Sequence, residues 1–408
     1  MTDFLKPEVL APAGDFERLE MAVRYGADAV YLGADKFGMR SSAAKFGGEE
    51  LKKAVEYAHS HGVKVYLTCN SVPTNKEIDE IESFLLFARD SGVDALIVAD
   101  IGILMAAKRI VPEIDIHIST QAGIVNYLTA NEMYKLGAKR VVLARELSFQ
   151  DIIEIREKTP PELEIETFVH GAMCMSFSGR CVLSQYLTHR DANRGECAQP
   201  CRWGYYLMEE KREGQYFKVF EDDKGTYILN AKDLCMIEYI DKLAKAGITS
   251  FKIEGRAKSA YYVAVVTNAY RTAVDLYLEN KSDYKVPSWL LEEVQKVSHR
   301  KYSNGFYFGP PEEGQYYETS GYIRTCDIIG VVEECVGGRV YCTQRNKFFD
   351  GDSIEILEPK SKPQTVIIED LQDENGVNIQ TANHSMMNFS FKSDKIFKKG
   401  SIIRKEVQ

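Results

Sequence analysis

Residues 16–35 read "FERLEMAVRYGADAVYLGAD". The first half, up to Gly26, is an amphipathic helical stretch closed by a glycine, the residue that most readily ends a helix in the left-handed conformation. The second half, from Asp28, is a short apolar run of strand length. The couplet recurs along the first 256 residues. Apolar runs stand at 8–14 (EVLAPAG), 28–35 (DAVYLGAD), 64–71 (KVYLTCNS), 94–100 (DALIVAD), 115–123 (DIHISTQAG), 140–146 (RVVLARE), 165–171 (IETFVHG) and 250–256 (SFKIEGR). Helical patterns such as GEELKKAVEYAHSHG (48–62) and EIDEIESFLLFARDSG (77–92) lie between most of them. Strands alternating with helices imply a parallel sheet. Eight such units predict a (β/α)8, TIM-like barrel.

One interval is abnormal. The chain spends residues 171–250 between the seventh and eighth runs, far more than elsewhere. Loops that follow barrel strands build the C-terminal face, where active sites of this architecture lie, so the insertion begins at the mouth. A long helix is expected from about Ser259 to Asn280 and a shorter one near Trp289–Val297, completing a catalytic domain over 1–310. From about Tyr322 the pattern becomes short strands between Gly and Asp turns. This predicts a small all-β barrel domain over 320–408.

The chain has 408 residues and a formal charge of −9, with 45% hydrophobic and 27% charged residues. That composition is ordinary for a globular protein and argues against a diffuse nucleic-acid-binding surface. No signal peptide and no uncharged span of membrane length is visible, which predicts a cytoplasmic protein with no membrane partner. Thiols there stay reduced, so structural disulfides are not expected.

The insertion nevertheless gathers Cys174, Cys181, Cys197 and Cys201, in the pattern C-x6-C-x15-C-x3-C. Structural zinc prefers close cysteine pairs, which "CAQPC" satisfies and "CMSFSGRC" does not. Iron–sulfur clusters also take four thiolates and tolerate more varied spacing. Cys235, in the same insertion, is an alternative ligand. A nucleophilic Cys174 activated by His170, four residues away, is the other possibility, although it leaves three thiols unexplained. Arg180, Arg190, Arg194 and Arg202 stand among these cysteines and are candidates for RNA phosphates; an ordinary solvated loop would carry the same charges.

Strand alternation selects further residues. Lys252, Glu254 and Arg256 share one face of the eighth run, opposite Phe251 and Ile253. The same rule turns Tyr66, Thr68 and Asn70 inward on the third run, His117, Ser119 and Gln121 on the fifth, and Glu166, Phe168 and His170 on the seventh. Arg145 closes the sixth. Arg256 is expected at the surface of the mouth, where Glu254 and Arg256 are either catalytic or a structural ion pair at the rim. A core role is expected for His117.

"ETFVHGAMCMSFSGRCVLS" (166–184) resembles the signature of the U-32 peptidase family, the collagenase-like proteins. The resemblance extends through APAGDFERLEMAVRYGADAVYLGAD, STQAG, LNAKDL, KIEGRAKSAYYVA and HRKYSNGFYFG, nearly the whole chain. "RDANRGECAQPCRW" (190–203) is most similar to the branch of tRNA hydroxylation proteins. That resemblance implies an enzyme that hydroxylates wobble uridine of tRNA to 5-hydroxyuridine, with prephenate as a small anionic co-substrate. It also implies a four-iron four-sulfur (4Fe-4S) cluster on Cys174, Cys181, Cys197 and Cys201, with Cys235 replacing the last in some relatives. On that reading Glu254, Arg256 and His170 are catalytic, and Asn70, Gln121, Arg145 and Lys252 bind substrate. Two other readings remain: a collagenase-like peptidase, and a zinc-stapled RNA-binding module.

Overall fold

The computed structural model describes residues 6–38, 46–174, 183–190, 192, 196–200, 220–222, 225–227, 231–309 and 322–407. The strands of the first part are β1 (Glu8–Pro12), β2 (Ala29–Gly33), β3 (Lys64–Cys69), β4 (Ala95–Val98), β5 (Asp115–Ile118), β6 (Arg140–Val142) and β7 (Glu164–Gly171). The insertion adds β8 (Phe220–Asp222), β9 (Gly225–Tyr227) and β10 (Asp233–Cys235), and β11 (Ser250–Ile253) and β12 (Tyr302–Ser303) follow. Strands β1 to β7 and β11 pair in parallel in the order β11-β1-β2-β3-β4-β5-β6-β7, and β11 pairs with β7 to close the ring. The eight expected strands are the eight barrel strands.

Both faces of these strands are buried, for different reasons. Val30, Leu32, Val65, Leu67, Leu96 and Val98 belong to the large core between barrel and helices. The alternate residues Leu10, Ala29, Tyr31, Tyr66, Ala95 and Ile97 form a separate cluster within the barrel. A period of two on a closed parallel sheet produces this division.

The helices are α1 (Phe16–Arg24), α2 (Glu49–Ser60), α3 (Asn75–Ile78), α4 (Ile81–Asp90), α5 (Ile101–Ile110), α6 (Tyr127–Lys135), α7 (Phe149–Glu157), α8 (Leu183–Thr188), α9 (Ile240–Lys245), α10 (Ala260–Glu279) and α11 (Ser288–Gln295). Asp15 caps α1 by accepting from Arg18 N, and Ser259 caps α10 by accepting from Tyr262 N. Each satisfies an orphan amide of a helix's first turn. Gly26, Gly62, Gly92, Gly137 and Gly247 leave their helices with positive φ, as the sequence suggested. No helix among the described residues is long and apolar enough to cross a membrane.

The insertion returns to the sheet. β10 runs antiparallel to the end of β7, setting Leu234 opposite Gly171 and Cys235 opposite His170, and β12 pairs with β10. Gly171 has φ +107°, and a Cβ there would meet Glu254 O at 2.5 Å. Only glycine lets the end of β7 turn this close to the end of β11.

The C-terminal strands are β13 (Cys326–Val336), β14 (Arg339–Gln344), β15 (Phe348–Phe349), β16 (Ser353–Leu357), β17 (Gln364–Ile367), β18 (Glu369–Asp373), β19 (Thr381–Ala382), β20 (Asn388–Lys392) and β21 (Ile402–Glu406). Seven of them form an antiparallel sheet in the order β17-β16-β21-β13-β14-β20-β18, while β15 pairs with β19. The run QTVIIEDL is two strands broken at Ile368, which is fully buried, with Asp370 at φ +56°. The sheet curls into a half-barrel whose edges β17 and β18 are consecutive in the chain, not into a barrel closed by hydrogen bonds.

This domain packs firmly on the first. Val331, Leu357 and Ile402 join the barrel's own core. The Tyr25 hydroxyl donates to Leu357 O and accepts from Ile402 N. Arg404, fully buried, donates to Glu293 of α11 at 2.9 Å.

Candidate active site

Two layers of polar side chains fill the barrel. The lower is closed. Arg140 of β6 donates to Glu8 at 2.7 Å, to Glu164 at 2.6 Å and to Glu166 at 3.0 Å. Lys252 donates to Glu166 at 2.7 Å, and the Tyr66 hydroxyl donates to Glu8 at 2.6 Å. His117 lies edge-on to Tyr66, with Nδ1 unpartnered. Burial would raise the Glu8 carboxyl, but the Arg140 guanidinium and the Tyr66 and Ser250 hydroxyls outweigh it and hold it below its usual value. Burial, reinforced by Arg140 and Lys252, pushes His117 well below its usual value, so it is neutral.

The upper layer surrounds the mouth. Arg256 Nη1 donates to Thr68 Oγ1 at 3.1 Å. A Cβ on Gly33 would stand 2.5 Å from that same nitrogen, so the bare glycine of β2 makes the space for the guanidinium. Arg145 lies 3.6 Å over the Phe168 ring, donates to Ala172 O at 2.6 Å and pairs with Glu254 at 3.5 Å. Asn70 donates to Ser119 Oγ at 3.3 Å, and Gln121 is buried beside it.

The structure thus brings Glu254 to Arg145 and sets Arg256 against Thr68. It places three of the expected residues as follows. Arg256 is 5% exposed, set into the layer rather than at the surface. The ion pair shown for Glu254 is with Arg145. Lys252, expected to bind substrate, lies a layer lower with its ammonium on Glu166.

His170 is also not at the mouth. Its ring is buried among Tyr262, Tyr270 and Tyr302, with Nδ1 3.4 Å from the Tyr270 hydroxyl and Nε2 3.3 Å from that of Tyr302. Burial, then the nearby His299 and Lys258, lowers its pKa to about 3. Such a ring is neutral and occupied at both nitrogens, which suits packing rather than proton transfer.

Cys174, just past β7, and Cys197 are exposed. Cys197 Sγ accepts the backbone N–H of Gln199 at 3.4 Å, and Gln199 adopts φ +55° to aim it. Cys235 differs: burial pushes its thiol up to about 12. Arg190 is exposed. Cys181, Cys201, Arg180, Arg194 and Arg202 lie outside the described residues.

Sequence reasoning missed Arg140 and Glu8 as the hub of the lower layer. Arg140 opens the run RVVLARE, where a charge at the first position reads as a turn residue. It also missed Gly33, since a functional absence of side chain leaves no chemical signal.

Residues 14–316 match peptidase family U32, and residues 324–404 match the peptidase family U32 C-terminal domain. The chain is 39% identical to the tRNA hydroxylation protein P1 of Bacillus subtilis, over 98% of this chain and 95% of that protein. It is 36% identical to the tRNA hydroxylation protein P of Escherichia coli, over 87% of each. It is 46% identical to an uncharacterized protease of Methanocaldococcus jannaschii, over 74% of this chain and 73% of that one.

Proposed function

This chain belongs to peptidase family U32, and from that premise we propose that it is a tRNA-modifying enzyme that hydroxylates wobble uridine to 5-hydroxyuridine, with prephenate as co-substrate. The observation that carries the reading is the end-to-end likeness to a tRNA hydroxylation protein, 98% of this chain and 95% of the other. Likeness over both domains bears on the whole activity rather than on the fold of one part.

The mouth is suited to an anionic co-substrate. Arg256 and Arg145 present guanidinium groups, which match carboxylates in geometry and charge. Thr68 and Glu254 orient the two guanidiniums, and Asn70 and Gln121 supply neutral polar groups beside them. The upper layer is separated from bulk water by its own burial, so each charge-assisted contact there counts for more than at a surface.

Cys174, Cys181, Cys197 and Cys201 would hold a 4Fe-4S cluster. The donor chemistry fits: the sulfurs of Cys174 and Cys197 are exposed, and the amide of Gln199 is aimed at Cys197 as it would be at a thiolate. Cys235 is placed differently, half-buried on β10 opposite His170, whereas Cys174 and Cys197 are exposed. When bound, such a cluster supplies one-electron redox chemistry.

The peptidase reading requires a base for Cys174. His170 does not provide one, since both its nitrogens already face tyrosine hydroxyls.

Nucleoside analysis of tRNA from a deletion strain tests the proposal. Hydroxylated uridine should be absent, restored by the wild-type chain and not by Cys197→Ala. An unchanged nucleoside profile in the deletion strain overturns the function. Stoichiometric zinc without iron in anaerobically purified protein overturns the cluster and favours the zinc-stapled module.

A further inference from the structure

The C-terminal domain lies along α1, and two contacts fix its direction. Arg24, in the last turn of α1, donates to Lys399 O at 2.8 Å. Arg345, just beyond β14, lies 3.7 Å from Glu17 in the first turn. Helices that follow barrel strands begin at the mouth end. The end of β14 and the segments joined to it therefore share the end of the molecule that carries Arg256 and Arg145.

That end of the domain is unlike its surroundings. Phe349 is 45% exposed, and Lys347 Nζ stands 4.9 Å from its ring centroid. Met386, 59% exposed, is brought alongside by its amide bond to Gln344 O, and Arg345 Nη1 lies 3.0 Å from its sulfur. At the adjoining edge of the barrel the same combination recurs. Tyr322 is 45% exposed, with Lys258 Nζ 4.2 Å from its ring centroid. Lys258 follows β11, and its carbonyl is held by Arg18 of α1. The nearby carboxylate of Asp352 is neutralised by Lys405 at 2.6 Å.

We propose that Phe349, Lys347, Arg345 and Met386, together with Lys258 and Tyr322 at the barrel edge, form a docking surface for a single-stranded loop of tRNA. The inference rests on the function proposed above and adds a location to it. Exposed rings accept unstacked bases whatever the sequence, and adjacent cations take the phosphates between them. A chain of net charge −9 repels RNA over most of its surface, so local cation–ring pairs must supply the attraction. Two such pairs lie on one flank of the mouth, beside the first turn of α1, and would hold the strand next to the site without covering it.

The test uses the full-length protein and unfractionated tRNA, with binding followed by fluorescence anisotropy over a range of salt. Phe349→Ala should weaken binding by about tenfold, the scale of one lost base stack. Phe349→Trp should retain affinity, because the stacking face is kept. Lys347→Ala should flatten the salt slope by about one unit, one phosphate contact. Thermal unfolding of each variant should match the wild type, because both side chains are exposed. If the wild type binds tRNA and both alanine variants keep its affinity and its slope, the surface is overturned and the function stands. If they instead change only the protein's oligomeric state, the patch is a self-contact and the proposal again falls. Wild-type protein that binds no tRNA at any salt overturns the functional reading and the docking surface with it.

Discussion

The two polar layers of the barrel use the same strands, the same alternation and much the same residue types, yet they differ in the groups shown holding their cations. In the lower layer Arg140 and Lys252 are answered by Glu8, Glu164 and Glu166, which leaves the cations committed. In the upper layer Arg256 rests on a neutral threonine, and Arg145 on a carbonyl, a ring and a carboxylate at 3.5 Å. The first arrangement neutralises its buried charge. The second sets its guanidiniums against a hydroxyl, a carbonyl and an aromatic ring as well as a carboxylate. The presence of an arginine inside a barrel therefore says little until its partners are known.

The sharpest break between the layers should come from Arg140→Met. Three carboxylates would lose their shared guanidinium, and stranding buried charge costs about 3–5 kcal/mol. Urea denaturation should show that loss, and Lys252→Met should follow in the same direction with substrate affinity unchanged. A Lys252→Met protein of full stability and weakened co-substrate binding would give Lys252 a substrate-binding role.

The next effect depends on pH. Folded His117 takes up its proton well below its ordinary value, whereas in the unfolded chain it does so near 6.5. Below about pH 6.5 the unfolded state therefore binds more protons, and stability falls as the pH falls. The slope from this one group is up to about 1.4 kcal/mol per pH unit, and it fades away over about one pH unit above 6.5. Substituting His117→Phe should flatten the decline between pH 6.5 and 5 in denaturation midpoints. An identical slope in the variant would mean that His117 is not the titrating group.

The smallest stability effect belongs to the upper layer. Arg145→Gln should cost about 1 kcal/mol or less, roughly one ordinary hydrogen bond. Co-substrate affinity should nevertheless fall about tenfold or more, the scale of a charge-assisted contact. Binding measured by calorimetry alongside the unfolding midpoint separates the two. A large loss of stability with unchanged affinity would make Arg145 a rim brace.

How much of this could be read in advance varies by feature. The run SFKIEGR put Lys252, Glu254 and Arg256 on one face, and that holds for the barrel interior. It could not reveal that Lys252 stops at Glu166 while Arg256 continues to Thr68. Depth along a barrel depends on how its strands are staggered, and stagger is a relation between strands. HGAMC placed His170 next to a thiol in sequence. The end of β7 instead directs the ring among Tyr262, Tyr270 and Tyr302, which the chain supplies about 90 to 130 residues later by docking α10 and β12. The break at Ile368 was equally invisible, because a curling sheet bends where packing demands and not where apolar character stops.

The amino-acid order alone determined the eight strand–helix units, their glycine stops, the caps at Asp15 and Ser259, and the inward and outward faces of each strand. All of these follow from local backbone preferences and from periodicity. Tertiary structure decided which groups meet each inward charge, where Gly33 leaves room, and which end of the barrel the half-barrel domain reaches. Those outcomes depend on distances between segments far apart in the chain, and no local preference encodes such a distance.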